Sequence, residues 1–195
     1  MTSPIIHKEG KILVFSAPSG SGKTTLIHYL MDNITNLHFS ISATSRKPRT
    51  GEQNGKDYFF LTPENFRTKI NEGDFLEYEE VYHNTFYGTL VSEVEKHLKK
   101  GENVVLDVDV KGAINIKRFY GEKALTIFIQ PPSIEILYQR LVARNTDSME
   151  TINDRISKAK YEISFAPKFD CIVVNDKLKK AQQEVLKVAT EFLYE

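Results

Sequence analysis

The sequence predicts an α/β fold in which a parallel β-sheet is covered by helices on both faces. Three observations predict it. Short apolar runs at 11–16, 103–109, 125–130 and 171–174 alternate with segments whose apolar residues recur at helical spacing. Strands that read as continuous hydrophobic runs belong to parallel sheets buried on both sides. The first run ends in a turn of small residues, Ala17-Pro18-Ser19-Gly20-Ser21-Gly22, directly ahead of a helical segment. The third observation is an interruption. From about Thr35 to Tyr87 the rhythm fails, and the chain becomes richer in aromatics and short strand-like pieces, as an insertion above the sheet would be.

The elements follow in order. Residues 11–16 are the first buried strand. Leu26, Ile27, Leu30 and Met31 share a helical face, so 23–31 is a helix. Residues 37–44 alternate weakly and read as one strand. Residues 45–57 carry Arg46, Lys47, Pro48, Arg49, Gly51, Gly55 and Lys56, which makes them a polar loop outside the core. Residues 58–61 are a strand. Thr62-Pro63 supplies an N-cap followed by a proline at the first helical position, and Gly73 ends that helix. Gly88 marks a switch from polar to apolar sequence. Leu90, Val91, Val94 and Leu98 then mark a helix that stops at Gly101. Residues 103–109 are a second buried strand ending in carboxylates. Residues 125–130 are a third, halted by Pro131-Pro132, and 134–142 are helical. Asp147-Ser148-Met149-Glu150 fits a capping box opening a helix that runs through Tyr161. Residues 171–174 are a fourth buried strand, placing Cys171 in the core, and 179–193 form a closing amphipathic helix.

Composition narrows the function. The 195 residues suit a single domain, which buries about 70% of its unfolded surface and needs no disulfide or structural metal. Lys plus Arg and Asp plus Glu are each 26, so the net charge is zero. That balance argues against a nucleic-acid or polybasic membrane partner, which depends on long-range attraction. The lone Cys171 leaves no disulfide within the chain and no Cys-rich metal site. No apolar run approaches the ~20 residues of a spanning helix, and residues 1–10 lack the pattern of a signal peptide. The expectation is a cytoplasmic protein. The sequence does not decide between monomer and homo-oligomer.

Four motifs carry chemistry. The stretch from Ala17 to Thr24 follows a P-loop pattern with Ala17 in place of the first Gly. Its small residues let backbone N–H groups turn inward on phosphate oxygens at a helix N-terminus. Lys23 would reach the β- and γ-phosphates and Thr24 would ligate Mg²⁺. The alternative is a glycine-rich turn with a solvated lysine. The second motif is Asp107-Val108-Asp109, at the carboxyl end of a strand where ligands sit in open α/β sheets. These carboxylates would hold Mg²⁺ or a ligand donor, or would cap a helix. The third is Arg46 and Arg49, three apart around Pro48, whose forks suit one phosphate. Tyr58 and Tyr87 could add neutral donors, and a solvated basic loop is the alternative. The fourth is Arg140, Arg144 and Arg155. They suit a lid closing on a triphosphate, or an ordinary exposed helix face.

In this order and spacing the motifs resemble guanylate kinases, of the nucleoside monophosphate kinase group, from about Lys11 to Leu193. The resemblance rests on Pro18 to Thr24, on 45–52 and 54–58, and on Gly73-Asp74-Phe75-Leu76-Glu77. Tyr87-Gly88-Thr89, 106–109 with Gly112, Pro131-Pro132-Ser133, the lid arginines and Asn175-Asp176 complete it. The resemblance implies a three-layer P-loop core with a parallel sheet (1–36, 89–130 and 165–195), a GMP-binding insertion (about 37–88) and a helical lid (about 131–164). It implies ATP contacts from Pro18, Ser19, Gly20, Ser21, Gly22, Lys23, Thr24, Thr25, Arg140 and Asn175. It implies GMP contacts from Ser42, Arg46, Arg49, Tyr58, Glu77, Tyr87, Gly88, Thr89, Asp107 and Asp109. Lys23, Arg46, Arg144 and Arg155 would act on the transferred phosphoryl group, with Mg²⁺ on Thr24 and the ATP phosphates.

The implied reaction is ATP + GMP = ADP + GDP, a step of purine nucleotide metabolism. Guanine presents two adjacent donors and an acceptor, to which a carboxylate beside a hydroxyl is complementary. Adenine offers an acceptor at N1 and would leave that carboxylate unpaired. Sites built on such bonds reject analogues by roughly 10⁴–10⁵. The alternatives are a P-loop kinase for another phosphorylated small molecule and a non-catalytic interaction module. The chain departs from the family pattern at Ala17, at Lys111 in place of Gln, and at Asn145 in place of Gly. The loop 81–86 is one residue longer than in some members.

Overall fold

The computed structural model describes residues 9–144 and 148–194. In chain order the elements are β1 (Ile12–Ser16), α1 (Lys23–Asn33), β2 (Leu37–Phe39), β3 (Ala43–Thr44), β4 (Phe59–Phe60), α2 (Pro63–Asn71), β5 (Phe75–Tyr82), β6 (Thr85–Leu90) and α3 (Val91–Leu98). They continue with β7 (Asn103–Asp107), α4 (Val110–Tyr120), β8 (Ala124–Gln130), α5 (Ile134–Ala143), α6 (Met149–Ile163), β9 (Cys171–Val174) and α7 (Leu178–Tyr194). Among the described residues no helix is long and apolar enough to cross a membrane.

The main sheet is parallel throughout, in the order β2-β7-β1-β8-β9. Alternate side chains of β1 face opposite ways and both sides are buried. Leu13 and Phe15 pack with Leu26, Ile27 and Leu30 of α1 and with Ala181, Val185 and Ala189 of α7. Ile12 and Val14 pack with Val94 of α3 and with Val110, Ala113 and Ile116 of α4. This is why β1 reads as an unbroken apolar run: all five of its residues are buried.

The interruption is a second sheet, in the order β4-β3-β6-β5. Its core is small. Ala43, Phe66, Phe86 and Leu90 are buried, and the Phe66 ring stacks on Phe75 at 4.3 Å and on Phe86 at 5.3 Å. The single strand expected over 37–44 is two strands in two sheets. After the Ser40 N–H donates to the Val105 carbonyl at 3.0 Å, the chain leaves the main sheet. Ala43 then pairs with Gly88 in the small one. The β5–β6 hairpin was not legible as such. β5 is open to solvent over its second half and carries Glu77, Glu79 and Glu80, so it lacks an apolar run. Gly88 lies inside β6 rather than at a switch. A β-carbon there would come within 2.7 Å of the Glu77 carbonyl oxygen.

Three further expectations shift. Strand β7 ends at Asp107, and Asp109 instead caps α4, a helix the apolar pattern did not reveal. The cap of α6 is Ser148, whose hydroxyl accepts from Thr151 N–H at 3.2 Å. It stands one residue after the expected box, and Asp147 lies outside the described residues. Strand β9 is an edge strand in which only Val173 is buried. Cys171 is therefore half-buried, because β9 has a neighbour on one side only.

Candidate active site

The Gly-rich turn between β1 and α1 is held by its backbone. Gly20 and Gly22 have φ of 94° and 90°, conformations that favour glycine. A β-carbon on Gly22 would stand 2.4 Å from the Asn175 side-chain nitrogen. That nitrogen donates to the Ser21 carbonyl at 2.7 Å, and Asn175 is buried, so the turn rests on the residue that follows β9. Ala17 has no positive φ and belongs to the apolar core, so its methyl fits where the pattern has glycine.

Helix α1 begins without a side-chain cap and without an acidic residue in its first turn. Thr62, Asp109, Ser133 and Ser148 by contrast cap α2, α4, α5 and α6. The unsatisfied N–H groups and positive end of α1 therefore face outward at the turn, ready for an anion. The Ser21 hydroxyl is buried with no hydrogen-bond partner among the described residues.

A cavity of about 560 Å³ opens on this turn. One wall is Pro18, Ser19, Gly20, Gly22, Lys23, Thr24 and Thr25. The facing wall is Ser42, Tyr58, Glu77, Tyr87 and Gly88 from the small sheet and its loops. Asp107 and Asp109 lie between them, and Arg144 and Arg155 overhang from the end of α5 and from α6. Lys23 forms an ion pair with Asp107. Arg155 donates to the Ser19 hydroxyl at 2.6 Å, so α6 already touches the turn.

Glu77 is a strongly perturbed carboxyl of the cavity wall. Burial raises its pKa to about 7, and the nearby charge of Asp109 adds to the rise. The Thr89 hydroxyl donates to Glu77 Oε1 at 2.6 Å and opposes the rise. Gly112 lets α4 come close here, since a β-carbon on it would lie 3.0 Å from both Glu77 Cγ and Asp109 Oδ1. Asp109 Oδ1 accepts from Gly112 N–H at 2.7 Å. The helix-capping alternative therefore holds for that oxygen, although the residue also lines the cavity.

Arg46 is clamped behind the facing wall. Its two terminal nitrogens donate to both carboxylate oxygens of Glu52 at 2.7 Å, Nε donates to Tyr87 Oη at 3.1 Å, and Nη1 also donates to the Lys47 carbonyl. These bonds occupy four of the five guanidinium donors and leave one N–H on Nη2. The Tyr58 ring lies 5.0 Å from the guanidinium carbon. The Arg46 hydrogen bonds, first among several causes, hold the Glu52 carboxyl down at about 2, and Glu52 in turn raises the Arg46 pKa.

Six expected residues are not on the cavity surface. Ser21 lies beneath the turn, Thr89 holds Glu77, and Arg46 stands behind Tyr58 and Tyr87. Arg49 is exposed, with its backbone N–H donating to Glu52. Arg140 donates to the Asn175 carbonyl at 2.8 Å, so Arg140 and Asn175 buttress the turn from behind. Residue reading missed Asp57, Glu79, Lys158 and Glu162 in the lining, and the anchoring role of Glu52. Lys158 and Glu162 had a signal, for they follow Arg155 at helical spacing on α6. Asn145 lies outside the described residues. Lys111 lies 5.8 Å from the centre of the Tyr161 ring and does not line the cavity.

Residues 9–191 match the family described as Guanylate kinase. The guanylate kinase of Bacteroides thetaiotaomicron is 60% identical over 184 residues, covering 94% of this chain and 90% of its own length. That of Bacteroides fragilis is 57% identical over 193 residues, covering 99% and 95%. The crystal structure of guanylate kinase from Anaplasma phagocytophilum superposes with a TM-score of 0.73 at 29% identity, covering 96% of this chain and 88% of that one. The chain belongs to the guanylate kinase family, and by that membership it is a kinase.

Proposed function

We propose that the enzyme transfers the γ-phosphoryl group of ATP to GMP, giving ADP and GDP. The observation that carries this reading is the shared cavity. An anion cradle forms one wall, and a carboxyl–hydroxyl pair suited to guanine, Glu77 with Ser42, stands on the other. ATP lies with its phosphates on residues 18–25, and GMP lies against the small sheet. Region 37–88 thus carries the acceptor, and 131–164 is the lid.

An oxygen of the GMP phosphate attacks the γ-phosphorus, and the bond to the β–γ bridging oxygen breaks with its electrons leaving on ADP. No general base is needed, because the second pKa of a phosphate monoester is about 6 and the attacking oxygen is already largely ionised at neutral pH. The chain's task is positioning and charge neutralisation. Lys23 exchanges its bond to Asp107 for the β- and γ-phosphates. Arg144 and Arg155 bring positive charge from the lid side, and closure excludes the water that would hydrolyse ATP. Arg46, pre-oriented by Glu52, offers its remaining N–H to the GMP phosphate, with Tyr58 and Tyr87 beside it and Arg49 at the rim. Ser42 serves guanine O6, Thr89 acts through the Glu77 carboxyl that it holds, and Glu77 and Asp109 accept from N1–H and the 2-amino group. Arg140 and Asn175 serve ATP by holding the turn.

The oxygen donors Thr24 and Asp107 both line the cavity beside the cradle, a donor set that fits Mg²⁺. Bound there with the ATP phosphates, Mg²⁺ would neutralise charge developing on the β- and γ-oxygens. We take the reaction to run in the cytoplasm.

The test is ADP formation from Mg·ATP with GMP, dGMP, AMP, CMP, UMP and dTMP offered in turn. Strong turnover with GMP and little with AMP is the expected result. Preference for another monophosphate would overturn the roles of Ser42 and Glu77, and silence across the panel from folded protein would overturn the reaction.

A further inference from the structure

At the other end of the main sheet from the cavity, three metal-ligating side chains converge. His38 lies on β2, His97 in the last turn of α3, and Glu102 just ahead of β7. One ligand atom from each lies within 4.8 Å of the other two. His97 Nδ1 is 2.6 Å from Glu102 Oε2, and His38 Nε2 is 3.8 Å from the same oxygen. The two imidazole rings stack, with centroids 4.8 Å apart and planes inclined by 23°. Glu93 Oε1 stands 3.6 Å from His97 Nε2, on the far side of that ring.

We propose that His38, His97 and Glu102 form a binding site for a divalent transition-metal ion of the zinc class. Two imidazole nitrogens and one carboxylate are a recurrent zinc donor set, and a water can complete the tetrahedron. Ligand atoms around a tetrahedral zinc stand about 3.4 Å apart, so the widest pair must close by about 1.4 Å and the hydrogen-bonded His97–Glu102 pair must open by about 0.8 Å, both within reach of side-chain rotation. With the metal on His97 Nδ1, the N–H on Nε2 faces Glu93, the carboxylate–histidine–metal arrangement that fixes a ligand's tautomer. The side chains of His97 and Glu102 are 15% and 27% exposed, and that of His38 is 40% exposed, so the site is partly enclosed yet open to entry. Mg²⁺ and Ca²⁺ prefer all-oxygen ligands and are not the expected occupants.

The site's metal-binding atoms are separate from the Mg·ATP chemistry, since Glu102 stands one residue ahead of β7 and Asp107 ends it, about 16 Å apart along an extended strand, and only Phe39, the neighbour of His38, reaches the cavity lining. Its position gives it a consequence. β2 is the last element before the chain crosses to the small sheet, and α3 is the first after it returns. An ion held between them braces the base of the insertion.

Titrating the full chain with zinc chloride by calorimetry tests the site. One zinc per chain is expected. His38→Ala and His97→Gln should each weaken binding at least about 100-fold, whereas Cys171→Ser and His28→Ala should leave it unchanged. Zinc at 100 times its Kd should raise the wild-type Tm by roughly 5–10 °C. A histidine-ring ¹H–¹⁵N spectrum of the wild-type chain reads the same site without substitution, and zinc should perturb two of the five histidines. No saturable zinc binding, binding that survives both histidine substitutions, or a spectrum with no histidine shifted would overturn the proposal.

Discussion

The P-loop wall of the cavity comes from one unbroken stretch, residues 18–25, seated between a fully buried strand and a helix whose inner face is core. The facing wall is gathered from Glu77 and Tyr87 on two strands of the small sheet and from Ser42 and Tyr58 just ahead of two others, over a core of four buried apolar residues. The first wall presents mainly backbone, fixed by two left-handed glycines and the Asn175 buttress. The second presents side chains, two of them set by partners: Thr89 donates to Glu77, and Arg46, itself held by Glu52, donates to Tyr87. The backbone wall suits phosphates, which every nucleotide shares. The side-chain wall suits the base, which distinguishes one nucleotide from another. Substitutions on the first should therefore change rate, and those on the second should change choice.

The largest expected effect falls on the first wall. Lys23→Ala should lower kcat by at least about 10²–10³-fold, the scale for losing one charge-stabilising donor, with GMP affinity nearly unchanged. Steady-state kinetics with calorimetric GMP binding checks it, and a parallel loss of GMP affinity would erase the division between walls. Next comes Glu77→Gln, which keeps the shape but turns an acceptor into a group that can present a donor to guanine. It should reduce the preference for GMP over AMP by roughly 10–100-fold, as expected for a charged hydrogen bond worth about 1.5–3 kcal/mol, with kcat less affected.

Acidity sharpens the contrast further. The Glu77 carboxyl is raised to about 7 by burial, and guanine in the proposed pose needs its ionised form. As pH falls through that value the carboxyl takes up a proton and GMP binding weakens, by about tenfold between pH 8 and pH 6. The GMP phosphate also titrates near here, so the comparison is with Glu77→Gln, which should keep only the phosphate's share of the slope. The smallest effect is expected from Glu52→Ala. Releasing the Arg46 fork should weaken GMP roughly three- to tenfold through lost pre-organisation, leaving ATP binding intact. The sign of its pH dependence is fixed. The Glu52 carboxyl is held down at about 2 against an ordinary 4.5, so its stabilising contribution is present above pH 4.5 and disappears as pH falls through about 2. Acid-unfolding curves of wild type and Glu52→Ala should therefore converge at the acid end.

The same asymmetry governs what the sequence reveals. The P-loop wall was legible because strand, turn and helix are contiguous, and their residue types state their geometry. The main sheet was legible through its apolar runs, except where one end is uncovered, as at β9 and Cys171. The small sheet was visible only as a break in rhythm. A two-residue strand such as β3 and a half-exposed one such as β5 carry too little periodicity to announce their pairing. Helix α4 hid behind the Asp109 motif, where a carboxylate at a strand end and one at a helix N-cap read alike. Arg46 looked like a donor awaiting an anion, because spacing cannot show that Glu52, six residues on, already holds its fork. Arg140 and Asn175 resemble ligand contacts, and spacing does not show that they also support the turn, which depends on the packing of α5 and the end of β9.

The most direct test of the central claim, one cavity with a phosphate wall and a guanine wall, is the ratio of kcat/KM for GMP to that for AMP with saturating Mg·ATP. The account predicts a ratio of at least about 10³, because adenine would leave the Glu77 carboxylate buried against an acceptor. A ratio near one, or a preference for AMP, would contradict it.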